Sequence, residues 1–453
     1  MVGDVMTSVE KTKYLIIGNS AGGIGAVEAI REVDGKGAIT IISDEPYYAY
    51  SRPLISDYLA SHYPLEKMLY RQPEFYENNN IRTLLGEKVV SVDYKKHSVA
   101  LESGRTVAWE KLLLATGGTP IFPAMEGNDL KGVFTFNRLD DAKAIDGYLE
   151  GLGSRVRAVV IGGGLIGVSI TEALVKRDVR VTIVEMKDRI LNTILDEEAS
   201  AMEADALAAA GVVMITDHTA GRINGFASGE VRGVTLDDGK LLPCELVIVA
   251  IGVQPRLDAV SGSGIEINRG IVVDRTMASS VPGVYASGDV SEAYDFVYGI
   301  NRPTPIWPNA YNGGRIAGLN MAGVLTEYDG GTAMNALKYF GVNILSAGMV
   351  TPPDASYESF SQRHDDVYKR VILKDGLVVG MVYAGDIEKA GIVYNLMKDK
   401  VDVGSFKEAL VADDFSLASL PEDIWREKLA ILTSELAPLV ISEPESEEAV
   451  VDE

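Results

Sequence analysis

The chain has 453 residues and a formal charge of −23, from 42 Lys and Arg against 65 Asp and Glu, with pI ≈ 4.7. That acidity argues against nucleic acid and against an anionic membrane surface as partners, since both are bound through cationic contacts. A 47% hydrophobic, 24% charged composition fits a folded globular protein, and at ~100–200 residues per domain the length predicts two to four domains.

Cys244 is the only cysteine, which excludes an internal disulfide, a dithiol redox pair and a cysteine cage for zinc or iron–sulfur. No apolar run approaches the ~18–20 residues of a membrane span, and the start, MVGDVMTSVEKTKYL, does not read as a signal peptide. A cytoplasmic protein in a reducing compartment is expected.

In chain order, Lys13 to Ile17 reads as a strand entering Gly18-Asn19-Ser20-Ala21-Gly22-Gly23 and a helix to about Glu32. A second strand, Ala38 to Ser43, ends in Asp44-Glu45 and completes a βαβ unit. Short strands from about Ile81 close on Leu112 to Gly117. The plan then repeats. Arg155 to Ile161 is a strand, Gly162-Gly163-Gly164-Leu165-Ile166-Gly167 opens a helix to about Lys176, and the strand Val179 to Val184 ends in Glu185. Short strands from Val212 to Leu242 follow, closing on Val247 to Gly252. Matching order and spacing predict duplicated dinucleotide-binding units, hence an α/β fold with two Rossmann-like domains.

Short strands at Gly270 to Val273 and Gly283 to Ala286 come next, the second leading into Ser287-Gly288-Asp289, and a helix starts near Pro308. From about Thr332 a smaller α+β C-terminal domain is expected, with strands Tyr368 to Leu373 and Leu377 to Tyr383. Ser419-Leu420-Pro421-Glu422 reads as a capping box for a helix carrying Trp425, Leu429, Leu432 and Leu436 on one face. That stripe fits an intramolecular or homodimer contact. The last stretch, with Glu443, Glu445, Glu447, Glu448, Asp452 and Glu453 and no base, reads as a disordered acidic tail.

A pyrophosphate needs backbone N–H donors at a helix N-terminus and residues small enough to let it approach. Gly162, Gly164 and Gly167 supply this in the second unit. Glu185 stands where a carboxylate accepts both hydroxyls of an adenosine ribose and repels a 2′-phosphate, favouring NAD(H), with Lys187 and Arg189 near enough to soften that preference. In the first unit Ser20 replaces the middle glycine; its hydroxyl is small and can donate to a phosphate. Glu45 or Asp44 is the ribose carboxylate. Two such sites read economically as one permanent flavin and one exchanging nicotinamide, though spacing alone does not order them. His62, His97, His218 and His364 show no ligand spacing and no metal is expected; Cys244 reads as a core residue.

Together the two fingerprints, Ala115-Thr116-Gly117, Ala250-Ile251-Gly252-x-x-Pro255 and Ser287-Gly288-Asp289 resemble the pyridine nucleotide-disulfide oxidoreductases, whose fold is glutathione-reductase-like. The resemblance implies FAD on residues 1–120 with 253–328, NAD(H) on 121–252, an interface domain at 329–440 and a tail at 441–453. It places FAD at Gly18, Ser20, Ala21, Gly22 and Gly23, with Arg52, Val89, Thr116, Gly117, Gly288, Asp289 and Ile306 around it. NAD(H) falls at Gly162, Gly164, Ile166, Gly167, Glu185 and Gly252. The finer likeness, carried by Pro46 to Leu59 and Ile306 to Asn320, is to the NADH:rubredoxin oxidoreductase and NADH oxidase branch, including flavin reductases associated with carbon monoxide dehydrogenases.

Tyr50 to Leu54 stand where disulfide reductases carry cysteines, so disulfide substrates are disfavoured. Some ferredoxin-reductase relatives pair a Lys and a Glu where this chain has Asp57 and Ser169, and the loss of both implies a differently arranged site. The expected function is hydride transfer between NADH and FAD with electrons passed to or from ferredoxin or rubredoxin, alone or in a redox complex. The alternatives are an NADH oxidase and an NADH-sensing or structural subunit. The charge of −23 opposes an acidic carrier unless Lys67, Arg71, Lys95 and Lys96 form a local basic patch.

Overall fold

The structure, a computed structural model, describes residues 9–260, 262, 264–422 and 424–426. The first apolar run forms the strand Glu10–Ile17 at the centre of a seven-stranded sheet. Ile39–Ser43 and Ile81–Leu85 extend it in parallel on one side, and Thr106–Leu114 joins in parallel on the other. Val284–Ala286 returns from far along the chain to pair in parallel with Thr106–Leu114. Ile39–Ser43 is buried throughout, as a strand covered on both faces must be.

The second sheet is five-stranded and parallel, in the order Val213–Ile215, Arg180–Val184, Arg157–Ile161, Leu246–Val249, Val133–Thr135. Two helices that the sequence reading does not mark, Leu139–Leu152 and Glu197–Ala209, belong to this half. The chain passes between the two sheets over Gly118–Pro120 and again over Val253–Pro255, and these short segments pair antiparallel.

Behind the first sheet, the helices Ala21–Val33 and Trp307–Met321 touch backbone to backbone. A Cβ on Gly314 would lie 2.0 Å from the Gly22 carbonyl oxygen, and one on Gly318 2.4 Å from that of Ala26. Gly314→Ala is therefore expected to cost ~1–3 kcal/mol, the usual range for overpacking, and to move both helix N-termini. Melting and cofactor-retention measurements on the variant check this.

Residues from Met334 onward form an antiparallel sheet in the order Met334–Tyr339, Val342–Gly348, Leu377–Ala384, Val367–Lys374, Glu358–His364. Val371 and Met381 share a buried cluster with Val393 and Leu396 of the helix Ala390–Lys398. Ile344, Val382 and Ala384 instead join the cluster containing Val168, Ala199 and Leu207 from helices of the second sheet. At the C-terminal end helical residues begin at Glu422, as the sequence reading expects, but the Ser419 hydroxyl is spent on the preceding turn Leu417–Ser419, where it accepts from the Ser416 amide. Trp425 packs on the C-terminal cluster. Leu429, Leu432, Leu436 and the acidic tail lie outside the described residues.

Candidate functional site

Two glycine turns of the same construction face one cavity of about 1150 Å³. Gly18 (φ +121°) and Gly162 (φ +108°) leave their strands in a backbone conformation that disfavours any side chain; a Cβ would lie 2.0 Å from Ala115 O and 2.4 Å from Ala250 O. Gly23 and Gly167 lie one turn into the following helices, where a Cβ would meet Gly18 O at 2.1 Å and Gly162 O at 1.9 Å. Those two glycines seat helix on turn and sit behind the cavity. Every other expected cofactor residue lines it.

The helices these turns open, Ala21–Val33 and Leu165–Lys176, have no side-chain cap and no acid in the first turn. Their amides are left for an anion. Contrast Glu197–Ala209, which is capped by Asp196 and carries Glu197 and Glu198 in its first turn. Ser20, the residue preceding the first helix, spends no hydroxyl on capping, which suits the role expected for it.

The carboxylates behind the turns are all engaged. Glu185 accepts from the Gly163 amide at 2.6 Å and the Lys187 amide at 2.9 Å, which fixes it at the cavity wall. Lys187 also lines the cavity, whereas the Arg189 guanidinium pairs with Asp188. In the first unit Glu45 is buried; it accepts from the Tyr50 hydroxyl at 2.6 Å and pairs with Arg52. Asp44 holds two cations, Arg256 at 2.8 Å and Arg138 at 3.0 Å. Burial alone would raise its pKa, but these guanidiniums bring it down to about 2. Sequence reasoning did not find Arg138 or Arg256, because each comes from a distant segment and neither belongs to a local motif.

Arg52 is thus no surface turn residue. It donates to the Asn137 carbonyl at 3.1 Å and lines the cavity with Asp289, whose carboxyl is raised by burial and held back by Arg52. Ser287 donates to Ala310 O at 2.9 Å, tying the segment around Gly288 to the helix Trp307–Met321. Ile306, Trp307 and Pro308 at that helix's start face the cavity. Asn309 does not line it and donates to Thr332 O at 2.9 Å. Thr116 donates to Arg256 O at 2.9 Å and Gly117 accepts from Arg256 N at 2.9 Å, so this pair anchors the crossover beside Gly252. Val89 lines the wall near Glu87 and Lys88, and Met334 to Leu337 with Tyr339 bring the C-terminal sheet to the same cavity.

Cys244 is 1% exposed and its thiol is pushed up to about 12, chiefly by burial. Cys244→Ala is expected to leave flavin reduction unchanged, and the native thiol to resist alkylation until the protein unfolds; anaerobic kinetics and thiol labelling check both. His218 departs from the sequence reading: it comes within ion-pairing distance of Asp237 at 2.8 Å, and with Asp238 forms an exposed group compact enough for a cation. Asp237 raises the histidine's pKa. The expected basic patch is weakened, since Arg71 pairs with Glu28 at 2.6 Å and Lys96 with Asp93 at 3.4 Å.

Two Rossmann-type sheets, each ending in a glycine turn on one shared cavity, define a two-dinucleotide oxidoreductase. Residues 12–314 match the family model of pyridine nucleotide-disulphide oxidoreductases, and 334–401 match the rubredoxin NAD+ reductase C-terminal domain. The chain belongs to the pyridine nucleotide-disulphide oxidoreductase family, whose members bind FAD and NAD(H). It is similar to the NADH-dependent phenylglyoxylate dehydrogenase subunit epsilon of Aromatoleum evansii, at 30% identity over 92% of this chain and 99% of the relative. It is 28% identical to the nitrite reductase [NAD(P)H] of Bacillus subtilis over 90% of this chain, which spans only 49% of that longer relative. Among solved structures, the NADH:rubredoxin oxidoreductase of Clostridium acetobutylicum superposes with a TM-score of 0.73 at 26% identity, covering 91% of this chain and 100% of that one.

Proposed function

We propose that the chain oxidises NADH at a bound FAD and passes the electrons one at a time to a ferredoxin- or rubredoxin-type carrier, either free or held in a larger redox complex. The observation that carries this is the single cavity shared by the two cradles. Behind the first lie Glu45 at 5% and Ser287 at 1% exposure, with Arg52 and Asp289 beside them, a deep wall such as a permanent cofactor needs. The rim of the second includes Met186 at 63% and Ile251 at 41% exposure, as an exchanging one needs. FAD then lies on Gly18, Ser20, Ala21 and Gly22 with Glu45, Arg52 and Asp289 around it, and NAD(H) lies on Gly162, Gly164 and Ile166 with Glu185 at its ribose.

When bound, FAD supplies the conversion from a two-electron hydride to single electrons. The protein needs no acid, base or nucleophile for this; its groups bind, orient and exclude water. The balance is NADH plus two oxidised carriers giving NAD+, two reduced carriers and a proton. Relatives named for rubredoxin and for a dehydrogenase complex support the carrier reading, and a lone buried thiol supports a site without disulfide chemistry in a reducing cytoplasm. Stopped-flow reoxidation tests it. The NADH-reduced protein should reoxidise rapidly with ferredoxin or rubredoxin and slowly in air; the reverse order indicates an oxidase.

A further inference from the structure

We propose that Tyr339, delivered by the C-terminal sheet, is a positioning residue for the nicotinamide ring during hydride transfer, an inference that rests on the cofactor placement above. Tyr339 ends the strand Met334–Tyr339 and lines the shared cavity. Its hydroxyl faces Ser169, another lining residue, on the helix that the second cradle opens. One turn further along that helix, Glu172 accepts from the Phe340 amide at 3.1 Å. Tyr339 and Phe340 thus grip the helix at positions i and i+3, which lie on one face.

The backbone singles out the same place. Tyr339 pairs with Val342, so Phe340-Gly341 is a two-residue hairpin loop with φ of 47° and 92°. Such loops favour Asn-Gly, and a bulky residue in left-handed backbone is costly; strain of this kind is kept where surrounding contacts over-determine it and clusters at functional sites. Here those contacts are the two grips on the helix. The helix Ile55–Ser61 of the first unit packs against the same helix, and the strand Met334–Tyr339 touches it as well. The phenol therefore sits where both dinucleotide units and the C-terminal sheet meet, which is where a nicotinamide reaching from Gly162 toward a flavin held near Arg52 must lie.

In hydride transfer the C4–H bond breaks and both electrons leave with the proton, so the rate depends steeply on ring placement. Tyr339→Phe keeps the ring and removes the hydroxyl that faces Ser169; Ser169→Ala removes the hydroxyl on the other side. Each is expected to lower the limiting rate of anaerobic flavin reduction by NADH about tenfold and to weaken the long-wavelength charge-transfer absorbance of the NADH mixture. The dissociation constant for NAD+, by calorimetry, should change by less than about threefold, with flavin content and melting temperature unchanged. The double variant should be no slower than either single one. Native reduction rate and charge-transfer band in both variants, or an equal loss in NAD+ affinity and rate, would overturn the inference while leaving the proposed function intact. A native protein that NADH does not reduce removes the proposed function and this inference together.

Discussion

Gly18→Ala is expected to yield a protein that purifies without flavin, whereas Gly162→Ala keeps its flavin and fails to bind NADH. Both glycines combine a positive φ with a backbone carbonyl directly in the path of a Cβ, so no flexible side chain can move aside. The turn itself must shift, and with it the amides at the head of the helix. In the first unit this disturbs the enclosed cradle. In the second it should raise the dissociation constant for NAD+ by at least about tenfold, equivalent to ~1.4 kcal/mol. Visible absorbance of the purified variants and calorimetric titration with NAD+ check the pair. A flavin lost from Gly162→Ala and kept in Gly18→Ala would reverse the assignment of the cradles.

The second large effect concerns stability. Glu203, on the helix Glu197–Ala209, is fully buried, and neither carboxylate oxygen has a hydrogen-bond partner. Burial, then the charge of Glu172, raises its pKa from 4.5 to about 8. The folded state therefore holds this proton more tightly than the unfolded one. Its stabilising contribution is fully present below about pH 4.5, declines as pH rises, and is gone above about pH 8. At ~1.4 kcal/mol per pKa unit the swing is on the order of 5 kcal/mol. Glu203→Gln removes the charge at nearly constant volume, so the variant should come close to the parent below about pH 4.5, exceed its stability increasingly up to about pH 8, and keep a constant margin beyond. Denaturant melts across that range check this; a stability difference independent of pH would show that Glu203 is not protonated in the native protein.

Both cradles were legible in the sequence because glycine spacing, the preceding apolar strand and the terminal acid are local features that share one physical cause. Gly162 to Glu185 falls within one βαβ unit, and the hydrogen bond from Gly163 to Glu185 stays inside it. Tyr50 and Arg52, which hold Glu45, lie five and seven positions after it, in the segment that the resemblance marks. The partners of Asp44 were not legible, because Arg138 and Arg256 come from two segments that only the tertiary fold brings together. The same holds for Tyr339, in a stretch with no motif of its own, and for His218 with Asp237, joined across neighbouring strands. Arg71 failed as a free basic residue for the same reason: Glu28, its partner, sits on a helix more than forty positions earlier. In the C-terminal sheet the strand pair around Lys374-Asp375-Gly376 was clear from its turn, but Met334–Tyr339 and Glu358–His364, with mixed or mostly exposed patterns, gave no periodic signal.

In the proposed function one cavity brings NADH to a flavin held by the N-terminal cradle. Anaerobic titration of the purified protein with NADH, following the visible flavin absorbance, tests it most directly. Complete bleaching by about one equivalent of NADH is expected, with NADPH much weaker because of Glu185. A protein that carries no flavin, or a flavin that NADH leaves oxidised, would contradict it.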